Sequence, residues 1–339
     1  MIWRKPAAVT EGETSAVGRV LVIQLGGVVP FVQALSAARH IRDAHVGARI
    51  TLLTTDATRE LAEKCPYFDT VEADGKPKEP QAITRLIARI RAAKYDVIYD
   101  LEGSNRTNNY FQGMRPWPPK WSGPIASAAY PYVACSREDA HPLDFYAGQL
   151  AAAGIGLEEP LLPDLSWLRP ALRDPPRLQP EFFGLRGRYV LMLPRGSQEA
   201  STRRWAEEKY IAVARSLYRQ GVTPVMLGGP EERPMGAAMA KAEPGAKNLV
   251  TRPDFFQCIG LAERAYYAFG DDVDLMHAVA AAGTSCLVFL SSLARPELAA
   301  PRGRGGVVGF TAAVVADLPV EQVERQLRNA GVYAQAATA

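Results

Sequence analysis

The sequence is poor in features that mark secreted, metal-binding or membrane-spanning proteins. Its four cysteines, Cys65, Cys135, Cys258 and Cys286, lie far apart with neither Cys-x-x-Cys nor metal-ligand spacing, so we expect four reduced core residues. No run of eighteen apolar residues occurs, and the first seventeen residues lack the apolar segment of a secretory signal. These absences predict a cytoplasmic protein.

The chain also lacks a large excess of either charge. Its net charge of +3 suits an anionic substrate or a membrane surface and does not indicate nucleic acid. Apolar residues make up 47% and charged residues 22%, as in ordinary globular proteins. A length of 339 residues is enough for two domains, each with its own core.

Strand and helix patterns alternate along both halves of the chain. An apolar, β-branched run over residues 19–25 ends in Gly26-Gly27 and precedes a helical segment over 32–44. The same alternation returns from the strand at 189–194 onward, where Asp254 is placed to cap a helix that starts at Phe255. Apolar strands alternating with helices predict parallel sheets covered on both faces.

Prolines without a sustained apolar period predict a linker at residues 166–187. We therefore expect an α/β protein with Rossmann-like domains over 18–165 and 188–325, followed by a disordered Ala/Thr end. Two doubly wound sheets in tandem place their ligand-binding edges around an interdomain cleft, where we expect the site.

Several short motifs follow one another in order along the chain. In the first half these are the strand and glycine turn from Leu21 to Gly26, the strand from Tyr95 that ends in Asp-Leu-Glu-Gly, and His141-Pro-Leu-Asp-Phe-Tyr. In the second half they are Arg203-Arg-Trp-Ala, Leu227-Gly-Gly-Pro-Glu-Glu, and Gly270-Asp-Asp-Val-Asp-Leu-Met-His. In the order and spacing of these motifs, from about residue 19 to residue 325, the chain resembles glycosyltransferase family 9, which includes the ADP-heptose:lipopolysaccharide heptosyltransferases.

The resemblance implies a glycosyltransferase B fold and an inverting transfer of a sugar from a nucleotide-diphosphate donor to a glycan or lipid-linked saccharide acceptor. It implies an acceptor-side first domain, a donor-side second domain, no required cofactor, and work at the inner membrane surface. It also implies the nucleotide-binding residues Gly228, Gly229, Glu231, Asp272 and His277. Helix N-termini such as the turn from Asp272 to His277 attract phosphate.

Arg203 stands at the family's lysine facing the donor phosphates and is our first catalytic candidate, because an arginine keeps the charge and adds a bidentate fork. Two departures from the family pattern bear on activity. Pro30 occupies the place of the aspartate proposed as the base, so we take Glu102 as a substitute base. Val273-Asp274 replaces Thr-Gly, which removes a hydroxyl and adds a carboxylate at the expected diphosphate site.

Alternatives remain for each site. Asp271, Asp272 and Asp274 could hold Mg²⁺ that bridges to the diphosphate, although an acidic capping cluster is favoured. The loop residues Asn105, Arg106 and Asn108 could contact an anionic acceptor.

The runner-up function is a non-catalytic glycan- or partner-binding protein of the same fold. A nicotinamide-dependent dehydrogenase is discounted, because the loop after the first strand lacks Gly-x-Gly-x-x-Gly.

Overall fold

A computed structural model describes residues 17–173, 175–196 and 198–333. The segment searched for a signal, up to residue 16, and the Ala/Thr end from residue 334 lie outside the described residues. The chain divides into two compact units between Leu161 and Leu162.

The first unit alternates strands with helices, as the sequence pattern predicts. The strands are β1 Arg19–Ile23, β2 Arg49–Leu53, β3 Thr70–Glu72, β4 Val97–Asp100, β5 Lys120–Gly123 and β6 Tyr130–Pro131. The helices are α1 Val28–Ala44, α2 Asp56–Glu63, α3 Pro80–Ala92, α4 Asn105–Gly113 and α5 Pro142–Ala152.

All six strands of the first unit are parallel, in the order β3-β2-β1-β4-β5-β6. The last four residues of β1, from Val20 to Ile23, are almost completely buried, as expected for a strand with helices on both faces. The strand order reverses between β1 and β4, where Ile23 lies beside Asp100. That reversal is the switch point at which such sheets bind ligands.

The second unit repeats the plan. Its strands are β7 Tyr189–Leu193, β8 Thr223–Met226, β9 Lys247–Asn248, β10 Tyr267–Asp271, β11 Cys286–Ser291 and β12 Val307–Ala312. Its helices are α6 Arg169–Arg173, α7 Glu207–Arg219, α8 Arg233–Ala242, α9 Phe255–Arg264, α10 Asp274–Ala281, α11 Pro296–Ala299 and α12 Val320–Asn329.

The order of the second sheet, β12-β11-β10-β7-β8-β9, places its switch point between β7 and β10. The core beside it is aromatic: Trp205 is fully buried, its ring centroid lies 5.0 Å from that of Tyr210 and 4.8 Å from that of Phe289, and its indole N–H donates to Leu318 O. Aromatic pairs at these distances add to the free energy gained by burial alone. The predicted cap is confirmed, because the Asp254 carboxylate accepts from Gln257 N at 2.8 Å.

The segment predicted as a linker, residues 166–187, holds α6 and three single-turn helices and lies in the second unit. It packs on α9, where Gln257 Nε2 donates to Arg177 O and the Leu178 carbonyl lies against Gly260 with no room for a Cβ. The expectation that all four cysteines are core residues is wrong for Cys135, which is only half-buried. The interdomain cleft expected from the sequence stays a prediction.

Candidate active site

A small cavity of about 210 Å³ lies at the switch point of the second unit. Its walls come from the ends of β7 and β8 and from the first turn of α10, and they include Gly228, Gly229, Glu232, Val273 and Asp274. At the start of α10, Met276 N donates to Val273 O at 2.9 Å, and Val273 offers no side-chain cap, so the N–H groups of Asp274 and Leu275 have no intrahelical partner. The position suits a phosphate group, although the two charged residues in the wall are both acids.

Asp271 holds the loops beside this cavity together. Its buried carboxylate accepts from Arg195 N and Trp205 N, each at 2.8 Å, so β10 is tied to the segment after β7. Burial raises the pKa of Asp271 to about 7, and the two backbone donors oppose that rise. The sequence predicts Asp271 only as one member of an acidic cluster with Asp272 and Asp274, for capping or for Mg²⁺.

The structure brings Asp272 and His277 together, with Oδ1 and Nε2 3.7 Å apart. Of the three acids in the alternative Mg²⁺ site, Asp271 offers both carboxylate oxygens to the backbone amides of Arg195 and Trp205, and the Mg²⁺ site stays a prediction. Across the described ranges, no three His, Cys, Asp or Glu side chains are grouped closely enough to hold a metal ion.

The basic segment after β7 carries Arg195 and Arg203, and both lie near Glu199. Each guanidinium has a nitrogen 3.9 Å from a Glu199 carboxylate oxygen, which is the outer limit of an ion pair. The Arg203 side chain is about half exposed, whereas Arg195 is 17% exposed and its Nε is buried without a partner. A weak exposed pair holds Arg203 loosely, so its guanidinium can turn towards a ligand.

The glycine pair after β8 lies in the cavity wall, as expected of a nucleotide site. The neighbouring acid in the wall is Glu232 rather than the predicted Glu231. Glu232 Oε2 accepts from Gly229 N at 2.6 Å, and a side chain at Gly228 would collide with Glu232. Glu231 is exposed and its Cβ lies against Gly196.

In the first unit, Glu102 joins the two strands of the switch point. Its backbone N–H donates to Ile23 O, and its Oε2 accepts from Leu25 N, both at 3.0 Å. One carboxylate oxygen of Glu102, which the sequence predicts as a substitute base, therefore already accepts a hydrogen bond from the loop after β1. Pro30 lies in the first turn of α1 with its ring against Gly26.

A cavity of about 830 Å³ opens beyond β1, β2 and β3, with Gly26, Gly27 and the start of α2 in its wall. Its acids are paired: Asp74 accepts two hydrogen bonds from Arg89 at 2.6 Å, and Asp56 accepts from Arg59. Lys76 and Arg85 also line it, and among the described residues neither has an ion-pair partner.

A second cavity of about 840 Å³ lies beyond β4, β5 and β6. Asn105 and Asn108 line it from the first turn of α4, although the sequence analysis predicts a loop at these residues. Arg106 points elsewhere, because its guanidinium donates to Pro77 O at 2.8 Å. Cys135 and the buried Asp100 complete its wall, and neither was singled out from the sequence.

Comparison with solved structures places this architecture in a known class. A glycosyltransferase family 9 protein from Veillonella parvula matches with a TM-score of 0.76 at 16% identity, covering 92% of this chain and 97% of that one. The E. coli ADP-heptose lipopolysaccharide heptosyltransferase II matches at 0.70 and 18%, covering 92% and 98%. The E. coli heptosyltransferase WaaC, solved with ADP, matches at 0.70 and 15%, covering 92% and 99%. The fold is the glycosyltransferase B fold.

Residues 149–292 match the family model of glycosyltransferase family 9, described as heptosyltransferase. A putative glycosyltransferase of Haemophilus influenzae is 31% identical over 78 residues, a match that spans 23% of this chain and only 22% of that relative. The resemblance to glycosyltransferase family 9 is therefore confirmed, and the chain is heptosyltransferase-like in its family match and in its fold. In the described part of the chain, no helix is both long and apolar enough to span a bilayer.

Proposed function

We propose that this chain is an inverting glycosyltransferase that moves a heptose or a related sugar from a nucleotide-diphosphate donor to a lipopolysaccharide-type or other glycan acceptor. The observation that supports this most is the pair of Rossmann-like units, each with a cavity beside its switch point, within a heptosyltransferase-like fold. Open parallel sheets bind ligands at this edge.

The proposed reaction is a single displacement. An acceptor hydroxyl oxygen attacks the anomeric carbon, the bond from that carbon to the phosphate oxygen breaks, and the electron pair leaves with the nucleoside diphosphate. The N-terminus of α10 and the loosely held guanidinium of Arg203 would stabilise the leaving charge. Asp272 and His277, which lie together at that turn, would contact the nucleotide.

The acceptor is proposed to carry an acidic group, because the cavity of about 830 Å³ beyond β1, β2 and β3 is lined by two cations, Lys76 and Arg85, without ion-pair partners among the described residues. A phosphate or carboxylate placed between Lys76 and Arg85 would gain charge-assisted hydrogen bonds. Lipid-linked saccharides with such groups lie at membrane surfaces, and on that ground we propose work at the cytoplasmic face of the inner membrane.

We also propose that donor binding needs no metal. Mg²⁺ bound to this turn would need the oxygens of several acids, and Asp271 offers both of its oxygens to backbone amides instead. Calorimetric titration with ADP should then give the same affinity in EDTA as in Mg²⁺. A large gain with Mg²⁺ would contradict this part of the proposal.

A second candidate, a non-catalytic glycan-binding protein, is favoured by one observation. The donor cavity presents the acids Glu232 and Asp274 and no lysine or arginine in its wall. A carboxylate beside a diphosphate repels it, and Pro30 cannot act as a base.

The deciding experiment combines binding with turnover. ADP and UDP are titrated calorimetrically, and a panel of radiolabelled nucleotide sugars is tested for transfer to deacylated lipopolysaccharide and for hydrolysis. The matched variant carries Val273→Thr with Asp274→Gly, and Asp56→Asn in the first unit serves as the charge control. The transferase proposal expects nucleotide binding and transfer in the natural chain. Absence of binding, transfer and hydrolysis in both the natural chain and the restored variant would leave the glycan-binding function.

A further inference from the structure

Asp100 is the last residue of β4 and is completely buried at the switch point of the first unit. Its Oδ1 accepts from Gly103 N at 2.8 Å, within a turn that depends on the left-handed backbone of Gly103, at φ 59°. Its Oδ2 is buried and has no hydrogen-bond partner. The nearby Thr107 hydroxyl, which lowers the pKa of Asp100, donates its proton to Ser104 O at 2.9 Å.

An orphaned carboxylate oxygen is costly, since native proteins pair more than about 90% of buried polar groups. Two side chains next to Asp100 also have buried polar atoms without hydrogen-bond partners. Gln149 Nε2 donates to the carbonyls of Asp100 and Ser122, while Gln149 Oε1 and Ser122 Oγ are themselves buried without partners. Three adjacent residues thus share unused hydrogen-bonding capacity beside the 840 Å³ cavity, whose wall Asp100 joins.

The wall of this cavity is polar, and its charged groups are Asp100, Arg137 and Glu138. It presents the amides of Asn105 and Asn108 and the hydroxyl of Ser104. The one guanidinium, that of Arg137, already donates to Leu101 O at 2.7 Å and to the Tyr146 hydroxyl at 2.9 Å. Amides and hydroxyls that both donate and accept suit the hydroxyl groups of a sugar, in contrast to the cavity of Lys76 and Arg85.

Glu102, the substitute base inferred from the sequence, is less suited to the task. Its Oε2 is held by Leu25 N, so protonation of Glu102 would disturb the loop after β1. We propose that Asp100, rather than Glu102, is the catalytic residue of the first unit, and that its Oδ2 receives the reacting hydroxyl of a saccharide bound in the cavity beyond β4, β5 and β6. The inference rests on the proposed transferase function.

In the proposed step, Asp100 Oδ2 takes the hydroxyl proton as the acceptor oxygen bonds to the anomeric carbon. The bond to the donor phosphate breaks, and its electron pair leaves with the nucleoside diphosphate. The pKa of Asp100 is raised to about 6, mainly by burial and also by the charge of Glu102, against the opposing effects of Gly103 N, the Thr107 hydroxyl and Arg137. Glu102 and Arg137 are the charged groups that act on Asp100; from β5 and α5 it meets the neutral Ser122 and Gln149. A base with this pKa is ionised near neutral pH.

The test uses a thiol that the cavity itself supplies. Cys135 lines the cavity and is half-buried, whereas Cys65, Cys258 and Cys286 are buried and burial raises their pKa to about 12. Iodoacetamide should therefore modify Cys135 first, because the thiolate is the reactive form. A bound sugar should slow this reaction.

The rate of Cys135 alkylation is measured by peptide mass spectrometry with methyl glycosides of glucose, mannose, galactose and heptose, in the natural full chain and in two variants. Asp100→Asn keeps the acceptor for Gly103 N, and Glu102→Gln is the matched control. We expect at least one glycoside to protect Cys135 in the natural chain, about tenfold weaker protection in Asp100→Asn, and little change in Glu102→Gln. Absence of protection by every glycoside, or equal protection in Asp100→Asn, would overturn the proposal.

Transfer to deacylated lipopolysaccharide gives the second readout. In Asp100→Asn, kcat should fall by about 10²- to 10⁴-fold with ADP affinity unchanged, and the loss of rate below about pH 6 should disappear. An unaltered kcat would refute the catalytic role. Failure of the transferase function itself looks different: no nucleotide binds and no variant transfers sugar, while the protection of Cys135 is unaffected.

Discussion

Replacing Asp271 with alanine should strongly destabilise the second unit. The carboxylate accepts from the backbone N–H groups of Arg195 and Trp205 at 2.8 Å, and the Trp205 donor is buried. Leaving a buried donor unpaired costs about 1–3 kcal/mol, so the two together predict a loss of about 2–6 kcal/mol in the free energy of unfolding. Asp272→Ala is the control, because its partner His277 is 3.7 Å away and a pair of this kind contributes less than about 1 kcal/mol.

The loss should depend on pH in an unusual direction. Burial raises the pKa of Asp271 from 3.8 to about 7, so between these values the folded state binds more protons than the unfolded state. The contribution of Asp271 is then largest at low pH and declines as pH rises to about 7. From pH 5 to pH 8 the decline is about 2–3 kcal/mol, at 1.36 kcal/mol per pKa unit. Asp271→Ala should therefore cost more at pH 5 than at pH 8.

Urea titration followed by hydrogen exchange of peptides from β7 and β10 measures this, because two units need not unfold together. If Asp271→Ala cost no more than Asp272→Ala, or cost more at pH 8 than at pH 5, the bridging role derived from the two hydrogen bonds would be wrong.

Three further predictions concern charge. Lys76→Ala and Arg85→Ala should each weaken calorimetric binding of a phosphorylated saccharide about tenfold at low salt, whereas the exposed Arg59→Ala, already paired with Asp56, should not. Asp274→Asn should raise ADP affinity at least about tenfold, since a charge about 5 Å from a phosphate costs roughly 3 kcal/mol at an effective dielectric constant of 20; unchanged affinity would place the diphosphate elsewhere. Burial of Asp100 should reduce the stability of the first unit by about 2 kcal/mol as pH rises from 4 to 7, and urea titrations of Asp100→Asn should lack this slope.

The regular part of the fold could be read from the sequence because its elements are long and buried. The strands β1 and β7 and the cap at Asp254 follow from apolar period and capping chemistry alone. The short strands β3, β6 and β9 could not, since two or three residues carry no period and are selected by pairing with a neighbouring strand.

Which acids face the site was less accessible to sequence reasoning. Order along the chain led to Glu102 and Glu231, but the structure binds Glu102 to Leu25 N and places Glu232 in the cavity wall. Two acids next to each other in the sequence can differ in burial and in hydrogen-bond partners. The apolar periodicity that predicts helices and strands does not report either property. A usable signal was present for Asp100, the final residue of a buried strand three positions before a glycine.

The charged residues in the cavity walls of the two units bear differently on the two proposed roles, acceptor binding by the first unit and donor binding by the second. Beside the first sheet, Lys76 and Arg85 have no counter-charge, so an anionic saccharide can be bound without displacing an existing ion pair. Beside the second sheet, Glu232 keeps its charge but accepts from Gly229 N, whereas Asp274 lines the proposed donor cavity without such a hydrogen bond among the described residues. Asp274 is therefore the side chain whose replacement should favour nucleotide binding most. If Asp274→Gly binds ADP and the natural chain does not, the chain keeps a transferase architecture in which one substitution suppresses donor binding.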